Sequence, residues 1–217
     1  MHSYLKSTST HGNVVFNFRG DPIGDLSAYA SGYHRAASAL VDRIDQVTGY
    51  PDYDGYPILF LYRHALELYL KTVVYKGAKL LEVIDEEAPD LDSLFCDHRL
   101  ARLLPAFKQI LEGVEWPWDS DVDGAKTFED FRELVNSIES IDPRSYSFRY
   151  PIDTRQNASL PQHHVINVIQ FGRSMDRVLE LIDGAVTGLS ETWDATAEAI
   201  HEIRRVFKED TDATVST

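Results

Sequence analysis

The sequence has a single cysteine, Cys96, so its 217 residues cannot form an internal disulfide. Basic side chains are also few: 21 lysines and arginines stand against 35 aspartates and glutamates, which gives a formal net charge of -14. A surface with this balance does not attract the phosphate backbone of nucleic acid over its whole area. A local basic pocket is still compatible with this overall charge.

Long hydrophobic runs are missing as well. The longest apolar stretch, residues 58–62, is far shorter than the roughly 20 residues of a membrane-spanning helix. The N-terminal residues 1–12 have neither the apolar core of a signal peptide nor a lipidation motif, and no segment rich in proline, glycine and serine divides the chain. We therefore expect a one-domain protein of the cytoplasm that does not associate with membranes.

Residues 56–76 predict the central helix of this domain, because apolar residues occupy nearly all of its circumference. At about 100° per residue, the polar side chains fall on one narrow stripe. The stripe consists of Arg63, His64, Glu67 and Lys71. Buried charges in the middle of a domain need partners, because removing one partner of a buried pair is strongly destabilising. We expect those partners to come from distant segments of the chain.

Apolar residues recur at helical spacing on both sides of this stretch. The further predicted helices cover residues 25–47, 98–113, 127–140 (with Thr127 as the cap), 162–189 and 192–207. Residues 49–57 carry turn chemistry, and Gly77 is expected to end the central helix.

These elements predict an all-α fold, since strand and helix patterns do not alternate along the chain. We expect a helical bundle of five or six helices that forms a single domain over residues 25–207. Residues 1–24 are expected to be flexible or extended, with a short strand or clasp near residues 14–18. Residues 208–217 are expected to form a disordered tail.

Three separated signatures accompany the polar stripe: YRHALELYLK at residues 62–71, the tripeptide HRL at residues 98–100, and FRYPID at residues 148–153. Together they resemble bacterial and phage-defence proteins with a HEPN-like helical domain, over roughly residues 57–183. Many HEPN-fold proteins are metal-independent endoribonucleases that act as homodimers in toxin or antiviral systems. The resemblance therefore implies an RNA substrate, a homodimer and no cofactor. The arginine and histidine that those nucleases carry four to six residues apart are absent here, and the nearest pair, Arg155 and His163, is separated by seven residues.

Metal-independent cleavage of RNA needs a base of near-neutral pKa to take the 2'-hydroxyl proton and a fixed cation to hold the charge of the phosphorane. His64 or His98 is the predicted base, and Arg63 and Arg149 are the predicted anion-binding groups. The residues expected to support them are Glu67, Lys71, Tyr150 and Asp153.

The same residues also fit a non-catalytic interpretation. Arg63 and Lys71 each lie four residues from Glu67, a spacing that favours ion pairs on a helix. Arg149 would then hold its loop to the core through backbone carbonyls, and the histidines would cap helices or form buried hydrogen bonds. The protein would be an interaction or regulatory module whose acidic surface binds a basic partner protein.

The segment from Asp119 to Gly124 reproduces the opening of an EF-hand calcium loop, with acidic oxygens at alternate positions and a glycine at the turn. The residues that would bind calcium are Asp119, Asp121, Asp123 and Asp130. Pro117 breaks the entering helix just ahead of this segment, and the sequence has no second EF-hand. An acidic turn in contact with solvent is therefore the competing interpretation.

Overall fold

The computed structural model describes residues 14–16, 20–46, 49, 52–160 and 162–215; within residues 200–215 only the side chain of Glu202 is described. In this part of the chain the secondary structure consists of five α-helices and one isolated antiparallel bridge, between Ile152 and Ala158. The helices are α1 (Leu26–Asp45), α2 (Asp52–Val83), α3 (Leu100–Gly113), α4 (Phe128–Ile141) and α5 (Val168–Val215). The predicted all-α bundle is confirmed.

The central helix of the bundle is α2, which contacts α1, α3 and α5. Its side chains are buried on nearly every side, as with the completely buried Tyr62, Leu66 and Leu70. The helix is longer than predicted at its start, because residues 52–57 are helical and do not form a turn. Pro57 is the sixth residue of α2, beyond the first turn in which proline is tolerated, so α2 lacks the backbone hydrogen bond that an N–H at this position would donate.

Gly77 lies inside α2 at a close approach to α3, so the prediction that it ends the helix is wrong. A Cβ atom at this position would lie 2.2 Å from Cγ2 of Ile110. The missing side chain therefore allows the two helices to pack closely.

Gly77→Ala is expected to lower the free energy of unfolding by about 1–3 kcal/mol, because the added carbon must displace Ile110 in a packed core. Gly184→Ala, in α5, is the matched control. A Cβ atom there meets nothing within 4 Å, so alanine should raise the stability by roughly 0.5–1 kcal/mol through its better helix propensity. Urea denaturation measures both changes, and equal effects of the two substitutions would contradict the close packing of α2 on α3.

Polar contacts join α2 and α5 along a parallel seam. The Tyr62 hydroxyl donates to Asp176 Oδ1 at 2.8 Å, and Lys76 Nζ donates to Ser190 Oγ at 2.7 Å. Both contacts join residues that are 114 positions apart in the sequence. The two helices therefore run parallel and do not shift relative to each other over the two heptads between the contacts. This seam holds α2 and α5 in fixed alignment.

The carboxylate of Asp176 also binds α1. Its Oδ1 lies 2.8 Å from His34 Nε2, and its Oδ2 accepts a hydrogen bond from Ser38 Oγ at 3.2 Å. One side chain thereby connects α1, α2 and α5.

The start of α5 differs from the prediction of a helix over residues 162–189. The helix begins at Val168, and residues 163–167 are not helical. His163 and His164 are therefore exposed side chains of the segment that leads into α5.

The end of α5 also differs. The predicted helices over residues 162–189 and 192–207 form one continuous helix, since neither Ser190 nor Glu191 breaks a helix as proline would. The helix continues through residues 208–215, where the sequence predicts a disordered tail.

At the N-terminal end, residues 14–16 are exposed and do not form the predicted strand. The rest of that prediction, residues 17 and 18, and the loose segment expected at residues 1–12 lie outside the described residues. Where the structure describes the chain, its helices are all too short or too polar to cross a lipid bilayer.

Candidate functional site

Arg63, Glu67 and Lys71 form a buried ion cluster along α2, with exposed fractions of 0%, 2% and 3%. Glu67 lies between the two cations: its Oε2 accepts from Arg63 Nη1 at 3.1 Å, and its Oε1 accepts from Lys71 Nζ at 2.9 Å. Burial raises the pKa of Glu67, but the hydrogen bonds from Lys71 and His98 and the charge of Arg63 outweigh it and lower the pKa. The ion pairs that the spacing favours are present.

Arg63 binds two segments that are distant in the sequence. Its Nη2 donates to the carbonyl of His98 at 2.7 Å, and its Nε donates to the carbonyl of Asp142 at 3.0 Å. These contacts hold the residues before α3 and after α4 against α2. A completely buried guanidinium cannot reach a substrate phosphate, so the expectation that Arg63 binds an anion is wrong. Arg63 is a positioning residue.

Asp142 shapes the loop that follows α4. Its Oδ1 accepts the backbone N–H groups of Tyr146 at 2.7 Å and Ser147 at 2.8 Å. Its Oδ2 has no hydrogen-bond donor among the described residues and lies 3.7 Å from Arg63 Nε. Sequence analysis missed Asp142, because only the tertiary structure brings this carboxylate to Arg63.

His98 lies at the exposed edge of the buried ion cluster. Its Nδ1 is 2.8 Å from Glu67 Oε1, while 59% of its side chain is exposed. When Glu67 accepts the Nδ1 proton, Nε2 is the ring atom left to exchange a proton with a ligand. His98 therefore connects the buried carboxylate to the surface.

His64 is half-buried beside two aromatic rings. It stacks on Phe60 with ring centroids 5.5 Å apart, and it meets Tyr33 edge-on at 4.5 Å. Burial lowers the pKa of His64 below its ordinary value of 6.5; the charge of Glu67 opposes this shift and neighbouring cations add to it. The imidazole is consequently neutral at pH 7 and can accept a proton.

Arg149 is exposed on the same side of α2. Its Nε donates to the carbonyl of Ser145 at 2.6 Å, and its guanidinium carbon lies 5.5 Å from the centroid of Phe60 and 5.6 Å from that of Tyr150. Its charge is among those that lower the pKa of His64. This hydrogen bond stays within the loop of Arg149, so it does not hold the loop to the core as the non-catalytic interpretation expects, and the cation is still accessible.

The two supporting residues expected from the FRYPID signature have different positions. Tyr150 borders Arg149, as described above. Asp153 instead organises its own loop, since its Oδ1 accepts the backbone N–H groups of Arg155 and Asn157, both at 2.8 Å. The structure thus brings His64, His98 and Arg149 to one surface above the buried ion cluster, and it leaves Asp153 outside.

The aspartates predicted to bind calcium do not form a metal site. They are Asp119, Asp121, Asp123 and Asp130. Asp121 Oδ1 pairs with Arg177 at 2.9 Å, and Asp130 accepts the backbone N–H of Thr127 in the capping box of α4. Among the residues with described side chains, no three histidine, cysteine, aspartate or glutamate groups are arranged to hold a metal ion. The segment is an acidic turn, which was the competing interpretation.

Comparisons with protein-family models, curated proteins and solved structures find no match to this chain. The fold and the site define an all-α bundle with two histidines and an arginine above a buried ion cluster. The HEPN-like resemblance stays a prediction from the three signatures.

Glu67→Gln is expected to destabilise the fold by about 3–5 kcal/mol, because it leaves the buried charges of Arg63 and Lys71 without their shared carboxylate. Glu82→Gln is the control, since it removes an exposed ion pair with Lys79 that water screens, so the loss of stability should be small. Urea denaturation at pH 7 separates the two variants. Similar losses in both would show that the buried ion cluster does not support the fold.

Proposed function

We propose that this protein is a HEPN-like, metal-independent endoribonuclease of a prokaryotic defence or toxin-type system, acting in the cytoplasm as a homodimer. The observation that supports this most is the gathering of His64, His98 and Arg149 at one accessible surface. Cleavage of RNA without a metal requires a base of near-neutral pKa and a fixed cation, roles that fit His64 and Arg149, and the second imidazole, His98, can give a proton to the leaving oxygen.

In the proposed reaction His64 takes the proton of a ribose 2'-hydroxyl, because its lowered pKa keeps it neutral at pH 7. The 2'-oxygen then attacks the adjacent phosphorus, and the bond from phosphorus to the 5'-oxygen of the next nucleotide breaks. His98 gives a proton to that leaving oxygen. Arg149 holds the negative charge that develops on the phosphorane. The products are a 2',3'-cyclic phosphate and a 5'-hydroxyl.

The distribution of charge supports an anionic ligand at this surface. The loop after α4 carries three exposed arginines, Arg144, Arg149 and Arg155. Its two aspartates, Asp142 and Asp153, accept backbone hydrogen bonds within the loop. This loop, residues 142–155, which we call the arginine loop, therefore carries a net positive charge in a protein whose net charge is -14, and its Arg149 lies beside His64.

The complete burial of Arg63 favours a second candidate function. In a non-catalytic interaction or regulatory module, the buried ion cluster serves only to hold α3, α4 and the arginine loop in place. The acidic surface of such a module would bind a basic partner protein.

His64→Ala and His98→Ala should each lower the rate of RNA cleavage by about 10²–10⁴-fold, the usual contribution of a general base or acid. Gel analysis of labelled RNA in the presence of EDTA measures the loss, and thermal melting checks that each variant is folded. Arg149→Ala should also lose activity. The matched control is Arg173→Ala, which removes an exposed arginine paired with Asp45 and should leave the rate unchanged. A wild-type protein that cleaves no RNA would instead support the interaction module.

The pH dependence of cleavage should report the neutral state of His64. Its pKa in the folded protein lies below 6.5, so the acidic limb of kcat/KM should have its midpoint below pH 6.5. The same shift adds stability at neutral pH that is lost as the pH falls from about 6.5 through the lowered pKa, since the unfolded chain then binds the additional proton. An acidic limb centred above pH 6.5 would contradict the assignment of His64 as the base.

A further inference from the structure

Four aromatic rings follow one face of α2 from its N-terminal end to the proposed site. They are Tyr53, Tyr56, Phe60 and His64, which we call the aromatic strip. At about 100° per residue, spacings of three, four and four residues place them within an arc of about 80°. The same face continues into the buried ion cluster.

The outer half of the aromatic strip is open to solvent. Tyr53 is 88% exposed and Tyr56 is 41% exposed, and their ring centroids lie 6.4 Å apart. The inner half is ordered by stacking, since the planes of Phe60 and His64 are within 9° of parallel. Exposed tyrosine rings at neighbouring positions of one helix face can contact a ligand through both the ring and the hydroxyl.

Cationic and aromatic groups of the loop after α4 lie beside the strip. The guanidinium of Arg149 lies over Phe60, and Tyr150, the next residue, packs on Tyr146 with ring centroids 4.7 Å apart. A ligand on the aromatic strip therefore meets flat rings on α2 and a positive charge on the loop. This combination is typical of sites that bind single-stranded nucleic acid, where bases stack on rings and phosphates face cations.

A cleft of about 510 Å³ adjoins the outer half of the aromatic strip. Its lining includes Tyr56, together with Phe148 from the loop and His163 and His164 from the segment before α5. The volume is within the range of pockets that hold small organic groups. A nucleobase is smaller than this volume, so the cleft has room for a base turned away from the strip.

We propose that the aromatic strip binds unpaired nucleobases of a single-stranded RNA, with the phosphates along the arginine loop. This inference rests on the proposed function, because the strip leads to His64, which would take the proton of the 2'-hydroxyl beside the phosphodiester. Residues 53–64 span about 16 Å of helix, a length that can accompany more than one nucleotide of an extended strand. Duplex RNA keeps its base faces within the helix, so the strip selects single strands.

The affinity of the full-length protein for a labelled single-stranded RNA dodecamer tests the inference by fluorescence anisotropy; the 2'-hydroxyls of the RNA are methylated so that it cannot be cleaved during the measurement. The double variant Tyr53→Ala/Tyr56→Ala should raise the Kd by about 5- to 150-fold for each ring that stacks on a base. Tyr53→Phe/Tyr56→Phe keeps both rings and should retain the affinity. Trp193→Ala is the matched control, because this 39% exposed aromatic side chain lies on α5 beside Tyr75 and Lys79. A duplex of equal length should bind more weakly to the wild type.

Three outcomes would overturn the inference: wild-type protein that does not bind the single strand, equal affinity for the duplex, or unchanged affinity in the double alanine variant. Since Tyr53 and Tyr56 contribute exposed surface, the variants should fold, and thermal melting verifies this. Failure of the proposed function looks different. If the protein binds RNA through the two tyrosines but does not cleave it, the proposed nuclease activity is wrong and the proposed role of the aromatic strip stands. If the double alanine variant cleaves RNA with an unchanged KM, the nuclease activity stands and the role of the strip is wrong.

Discussion

The pairing of Glu67 with two buried cations is the interaction on which the rest of the site depends. Arg63 and Lys71 are removed from water inside the central helix, and a charge placed there without a partner would destabilise the fold by several kcal/mol. Because Glu67 neutralises part of this charge, the other donors of Arg63 are available to the carbonyls of His98 and Asp142. The start of α3 and the arginine loop are thus held at the same side of α2.

One face of α2 lies in two environments, so the accessible aromatic rings at its start are separated from the buried ions further along. The helix start is left open, so the aromatic rings up to His64 are accessible or half-buried. From Glu67 onward the same face is buried. His98 bridges the two regions, since its ring is bound to Glu67 and is still largely exposed. A proton exchanged at His98 would therefore change the hydrogen bonding of a buried carboxylate, which couples the surface chemistry to the core.

The sequence predicts the parts of this arrangement that depend on local spacing. The apolar circumference of α2, the ion pairs four residues apart and the Thr127 cap follow from neighbours on one helix, and the structure has them all. Two of the errors come from tertiary contacts. The sequence predicts a helix end at Gly77, but the structure shows that the glycine allows Ile110 to approach α2. The sequence also predicts that Arg63 binds an anion, but its donors bind the backbone carbonyls of His98 and Asp142. For the same reason Asp142 has no distinguishing signal in the sequence.

An acidic protein can bind RNA if most of the affinity does not come from phosphate contacts. Each phosphate neutralised by a cation releases counterions, which makes that part of the binding depend steeply on salt. Stacking of bases on rings has no such requirement and tolerates any sequence. The net charge of -14 would then repel RNA from the rest of the surface. Under the proposed function, productive contact with RNA would be confined to the segment where the aromatic strip meets Arg149.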